Sequence, residues 1–217
     1  MKGHNIVIMI FCLLAGTALL VTIYTRSQLA GQALESEWES TIEDLYDNSA
    51  AAHIQGQRYN SYADQAAREA NTSSERLFRA LAHSELIHEQ MCAKAAQLFG
   101  GEYTAPANSI DNSTTTDENI KRSISSARTR HNLTQGSAAT RAIENGNRYV
   151  ARILIWIDGS NRRHIELLEQ ADRKGSEFTN YSTGYLVCPK CGNTYHTASY
   201  DTYCPFCQTH YSDFKKF

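Results

Sequence analysis

The sequence predicts a mainly α protein: a four-helix bundle, then a small cysteine-rich metal ribbon, with an apolar N-terminal helix long enough to cross a membrane. Three observations carry this. Segments between residues 41 and 175 repeat apolar residues at helical spacing and are punctuated by capping patterns and glycines. Residues Cys188–Cys207 hold two C-x-x-C pairs. Residues Ile6–Tyr24 are uncharged and mostly apolar, and as a helix would span roughly 28 Å, close to the hydrocarbon thickness of a bilayer. The chain has 217 residues, 41% hydrophobic and 20% charged, enough for one helical domain and an appendage. Its formal net charge of −2 and lack of a polybasic patch give no reason to expect nucleic acid.

Residues 1–26 read as a membrane anchor. The alternative is a cleaved signal sequence, whose apolar region is usually about 7–15 residues and ends in an A-x-A pattern; neither condition is met cleanly. Lys2 and Arg26 flank the span on opposite sides. The slight preference is for the N-terminus inside, which makes a single-pass protein with an extracytoplasmic soluble part. Residues 27–40 follow as a polar stalk.

The bundle, residues 41–175, is expected as four helices: Thr41–Ala70, Ser74–Phe99, Thr116–Asn145 and Asn147–Arg173. Capping-box patterns at Ser40…Glu43, Thr72…Glu75 and Thr115…Glu118 open the first three. Gly100-Gly101, Asn145-Gly146 and Gly175 close the second, third and fourth. Between the second and third helices, "GEYTAPANSIDNSTT" is long enough to cross from one end of a bundle to the other, whereas the other connections are tight. Two helical hairpins joined by one crossover is the ferritin-like arrangement.

Residues 176–217 form the ribbon. Cys188/Cys191 and Cys204/Cys207 are two knuckles whose spacing lets hairpin turns bring four thiolates to the corners of a tetrahedron, so these four are the metal ligands. Gly192 suits a turn that needs positive φ, while the second knuckle has Gln208 in that place. One iron or one zinc ion fits such a site equally well by sequence. The remaining two of the six cysteines, Cys12 and Cys92, read as small apolar packing residues.

Inside the second helix, "HSELIHEQMC" places Glu85 and His88 on the face marked by Phe78, Leu81, Cys92, Ala95 and Phe99. A buried carboxylate is costly unless paired with a cation or bound to a metal, so Glu85 must have a partner.

From residue 41 onward the chain resembles rubrerythrin, the fusion of a ferritin-like di-iron bundle with a rubredoxin-like ribbon. "ERLFRALAHSELIHEQ" resembles that family's second helix, "TTDENIKRSISSA" the opening of its third, and "YLVCPKCGNTYHTASYDTYCPFCQTHYSDF" its ribbon, with Tyr195 and Phe214. The resemblance implies peroxide reduction at two irons, fed with electrons through the ribbon, in a homodimer. It also implies a ligand set that this chain largely lacks. Glu85 and His88 match the second-helix ligands and His164 the fourth-helix histidine, but Ala52, Ala127, Arg130 and Asn161 stand where the family has glutamates. One carboxylate and two neutral imidazoles cannot balance two irons, so a di-iron centre is not expected.

Two readings of Glu85 follow. In one, the Arg130 guanidinium replaces the metal charge and pairs with Glu85 in an inert bundle. In the other, Glu85, His88 and His164 hold a single metal with open positions. His53 and His131 lie about 100° round their helices from the matched positions and read as surface or interface residues. Three functional classes result: an electron-transfer or redox-sensing module with iron at the four cysteines, a structural or interaction module with zinc there, or an oxidoreductase using the residual bundle site. The redox or protein partner is unspecified.

Overall fold

The computed structural model describes the backbone of residues 2–107, 113–134, 137–175 and 184–217, and the side chains of 16–29, 39–107, 113–131, 138–175 and 184–217. The chain divides into two units, Met1–Ser40 and Thr41–Phe217. Helix α1 (Lys2–Arg68) contributes to both, so Ser40 lies inside a helix and the expected capping box with Glu43 is not a helix start. The physical reason is local: residues 27–40 contain no proline and are dominated by Ala, Leu, Glu, Gln and Ser, which a helix accepts. Among the described residues no helix is long and apolar enough to cross a membrane; the side chains of residues 6–15, half of the expected span, lie outside the description.

The second unit is mainly helical with a small three-stranded sheet. α2 (Thr72–Leu98) is capped by Asn71, whose side chain accepts from the Ser74 backbone N–H at 3.1 Å, one residue earlier than the capping box predicts. Asparagine caps as well as threonine, and Ala70 at φ 56° turns the chain just before it. At α3 (Thr116–Thr134) the expected cap forms, with Thr115 Oγ1 accepting from the Glu118 N–H at 3.4 Å. The single third helix expected over Thr116–Asn145 is instead α3 and α4 (Ser137–Glu144), on either side of Gln135 and Gly136, which lie outside the described residues. α5 (Arg148–Lys174) starts at Asn147, which accepts from the Val150 N–H, and ends at Gly175 with φ 50°.

The apolar faces meet in two clusters. At one end Leu45 of α1, Cys92 and Ala95 of α2, Ala142 of α4 and Val150, Ile153 and Ile157 of α5 pack together. At the other, Tyr59 and Tyr62 of α1 flank Phe78 of α2, at ring distances of 5.9 and 5.5 Å, beside Leu81, Ile120, Ile124 and Leu168. Each fully buried Leu or Phe side chain contributes about 1.5–3 kcal/mol relative to leaving it in water.

The ribbon carries an antiparallel sheet in the order β2-β1-β3, with β1 Tyr185–Val187, β2 Thr194–His196 and β3 Lys215–Lys216. Alternation along β1 divides its side chains. Tyr185 and Val187 join the bundle cluster, whereas Leu186 faces the ribbon's own core of Cys188, Cys191, Tyr195, Cys204, Cys207 and Phe214. The ribbon is thus seated on its own bundle by half of one strand.

The closest seat is at Gly192. Its φ of +75° is the left-handed conformation expected for the first knuckle, and a Cβ there would stand 2.5 Å from His88 Nε2 and 3.1 Å from the Ser84 carbonyl oxygen. The second knuckle adopts the same turn with Gln208 at φ 60°. Both strain and overlap therefore oppose a side chain at Gly192. Gly192→Ala is predicted to lower unfolding stability by about 2–4 kcal/mol, the sum of left-handed strain and overpacking, while Gln208→Gly is neutral or stabilising. Denaturant midpoints of the two variants against the wild type check this.

Candidate functional site

Two sites lie side by side. The first is the sulfur cluster. Cys188, Cys191, Cys204 and Cys207 are all buried, and their Sγ atoms all lie within 4.8 Å of one another. Cys188 meets Cys207 at 3.4 Å and Cys191 meets Cys204 at 3.5 Å. A tetrahedral ion with metal–sulfur bonds of about 2.3 Å requires sulfurs about 3.8 Å apart, so the cluster is the right size for one ion. Among the described residues this is the group of His, Cys, Asp or Glu side chains that converges for a metal.

The local fold makes the cluster. The Gly192 N–H donates to the Cys188 carbonyl at 3.0 Å and the Gln208 N–H to the Cys204 carbonyl at 2.9 Å, closing two equivalent knuckles. The Cys188–Cys191 contact favours a thiolate at Cys188, but the Cys204 contact and burial outweigh it and push that thiol up to about 12. Cys191 is driven up by its neighbours Cys188 and Cys204 and by burial. Cys204 is held low by donors from Cys188, Cys191 and Tyr195. Four buried sulfurs this close cannot all ionise without a cation among them, and a divalent ion would relieve that by taking all four as thiolates.

The second site is the interior of the bundle around Glu85, whose side chain is 1% exposed. Arg130 Nη2 donates to Glu85 Oε1 at 2.9 Å and to Asn161 Oδ1 at 3.4 Å. His88 Nδ1 stands 3.4 Å from Glu85 Oε2, and His164 Nδ1 stands 3.6 Å from Oε1. Residues matched separately along three helices thus converge on one carboxylate. Burial alone would raise the Glu85 carboxyl, but the Arg130 guanidinium and the two imidazoles hold it well below the usual range. Burial lowers His164 despite the neighbouring Glu85, which keeps the ring neutral near pH 7.

A di-iron pair does not fit here. Arg130 occupies the Glu85 oxygen that a metal would need, and Ala52 and Ala127 offer no ligand atom. A cavity of about 90 Å³ beside Ala52, Glu85, Arg130 and Asn161 marks the space that a longer side chain at position 52 would enter. His53 and His131 point elsewhere, to Glu89 and Asp158 at 3.0 Å each.

The two sites touch through residues that sequence reasoning missed. Ser84 Oγ donates to the Gly192 carbonyl at 2.5 Å, Ser160 Oγ reaches the same oxygen at 3.3 Å, and His164 Nε2 bonds Ser84 Oγ at 2.9 Å. Two fully buried serines on helix faces were the available signal, because a buried hydroxyl needs a partner.

Removing one member of the ion pair leaves the other charge stranded. Arg130→Ala is predicted to cost about 3–5 kcal/mol, and the double replacement Glu85→Leu/Arg130→Met distinctly less, by urea unfolding. Because the Glu85 pKa is depressed by folding, its contribution is present above the unfolded value of about 4.3 and is lost as pH falls through the folded value. His164, also depressed, adds a loss that begins below about pH 6.5. Stability should therefore fall monotonically on acidification from pH 7, and denaturation midpoints between pH 7 and 4 measure it.

The fold has known counterparts. The chain superposes on nigerythrin in its mixed-valent state with a TM-score of 0.74 at 20% identity, covering 82% of this chain and 86% of that one. Its partially reduced and fully reduced, all-ferrous states give 0.73 each, with the same identity and coverage. At that identity the likeness speaks for the fold. No curated protein matches the chain. The family profile described as Rubrerythrin matches residues 51–172, more than half of the chain and the part that contains Glu85, Arg130 and His164, so the protein belongs to the rubrerythrin family.

Proposed function

We propose that this protein is a membrane-tethered, one-electron carrier of the rubrerythrin family that uses a single iron in its four-cysteine ribbon. The observation that carries the reading is the convergence of four buried sulfurs within 4.8 Å, next to a bundle interior already neutralised by Arg130. Iron held by these four cysteines would supply a one-electron ferrous/ferric couple. The chain's residues hold four thiolates in a dry pocket, supply donors to the sulfurs and keep the knuckles rigid. Tyr203, next to Cys204, is 54% exposed and gives an outside partner an approach to the site.

Peroxide reduction at paired irons is not proposed, because the ligands for it are alanine, arginine and asparagine in this chain. Tethering through residues 6–24 is supported by Leu19, Leu20, Val21 and Ile23, which are apolar and exposed. A homodimer with its soluble part outside the cytoplasm completes the proposal, and exposed Leu98, Ile143 and Ile155 offer apolar surface for a second copy. The second reading, a structural zinc ribbon, rests on the same sulfurs.

Elemental analysis of the full-length chain, expressed anaerobically in medium balanced for iron and zinc, tests the proposal. One iron per chain that disappears in Cys188→Ser/Cys191→Ser, with a reversible one-electron couple, is the expected result. Zinc in its place selects the structural reading, and metal persisting in the cysteine variant overturns the inert bundle. Since raised thiol pKa values mean that protons compete with the ion, affinity should weaken as pH falls, as competition with a chromophoric chelator would show.

A further inference from the structure

Around the sulfur cluster runs a chain of hydrogen bonds whose direction is fixed at its far end. The Thr194 backbone N–H lies 3.1 Å from Asn193 Oδ1. A backbone amide can only donate, so the oxygen of the Asn193 side chain must face it and the NH₂ group must face away. That NH₂ group donates to the Tyr195 hydroxyl oxygen at 2.7 Å. An amide NH₂ accepts nothing, so the Tyr195 hydrogen cannot point back along the bond. It points to Cys204 Sγ, 3.2 Å from the same oxygen. The ring is kept in place by stacking on Phe214, with centroids 5.4 Å apart and planes within 17°. Asn193, Tyr195 and Cys204 are all buried, so water does not compete.

We propose that Tyr195 is a positioning residue for the metal site, an obligate O–H···S donor that withdraws charge from Cys204 and makes the four sulfurs electronically unequal. Cys188 and Cys191 accept from backbone N–H groups, those of Lys190 and Cys191 and that of Asn193, rather than from a side-chain hydroxyl. Thr209 Oγ1 lies 3.2 Å from Cys207, but no neighbour fixes the direction of its hydrogen. A donor to a coordinating thiolate favours the more negative state of the site, so with iron bound Tyr195 raises the reduction potential. It also lowers the energy of the sulfur lone pairs. The inference rests on the reading that the four cysteines hold one metal.

The test loads the full-length chain with cobalt(II) and records thiolate-to-cobalt charge-transfer absorption, then repeats the comparison by potentiometry on the iron-loaded protein. Tyr195→Phe keeps the ring and removes the hydroxyl. The expected result is unchanged metal stoichiometry, a charge-transfer band shifted to lower energy and a more negative potential. Band and potential identical to wild type would overturn the proposal. If Tyr195→Phe does not fold, Asn193→Ala decides: it releases the hydroxyl from its fixed direction, so a smaller shift of the same sign is expected, and an unmoved band is fatal. Absence of any thiolate-to-cobalt band in the wild type would instead overturn the four-cysteine reading itself.

Discussion

Everything inside the bundle is arranged around one buried charge. Glu85 is 1% exposed, and a carboxylate at that depth persists only with a cation against it. In this chain the cation is a side chain. Arg130 comes from α3, the carboxylate from α2 and the supporting Asn161 and His164 from α5, so the requirement to neutralise Glu85 locks three helices into register. The pair also explains why small residues surround it. With a guanidinium supplying one positive charge, further carboxylates at positions 52 and 127 would be unbalanced, and alanine at position 52 borders a small cavity in place of a repulsion.

The same turn of α2 controls the ribbon. Ser84 precedes Glu85 and His88 follows it by three residues; the serine bonds the Gly192 carbonyl and the imidazole closes against the Gly192 Cα. One helical turn therefore presents its carboxylate to α3 and its hydroxyl to the ribbon knuckle. A change in the Arg130 pair that rotated α2 would be felt at the cysteine site, because His164 touches both Glu85 and Ser84. The coupling is mechanical: it runs through packed, hydrogen-bonded side chains.

Much of this was legible in the sequence because it depends on residue type and spacing. Helical spacing placed Glu85 and His88 on the face of Phe78, Leu81, Cys92 and Ala95, and all six are buried. The arginine at position 130 announced a partner for Glu85, and the two C-x-x-C pairs announced the sulfur cluster. Boundaries were less legible. Ser40 has the residues of a cap but sits in a helix whose upstream neighbours are good helix formers, and Asn71 competes with Thr72 one position away. Least legible were hydrogen bonds between distant segments. Nothing in "AHSEL" says that Ser84 will meet a carbonyl 108 residues later, since that depends on where a ribbon is seated. Likewise nothing in the spacing of Asn193, Thr194 and Tyr195 says which way the tyrosine hydrogen points until the three are folded together.

The ion pair in the bundle bears on the proposed one-electron role of the ribbon. In a chain that coupled both sites, charge would enter at the sulfurs and be consumed at metal in the bundle. Here the path from Gly192 through Ser84 and His164 ends in an ion pair made of a carboxylate and a guanidinium, neither of which accepts an electron. On the proposed reading, a one-electron site seated on such a bundle meets no acceptor among the described residues of the ion pair, so donor and acceptor would both have to reach the ribbon. The surface near Cys204 offers that access, with Tyr200, Tyr203 and Tyr211 each about half exposed. On that reading the bundle would serve as a seat for the sulfur cluster, and the Glu85–Arg130 pair supplies inside it the positive charge that the buried carboxylate requires.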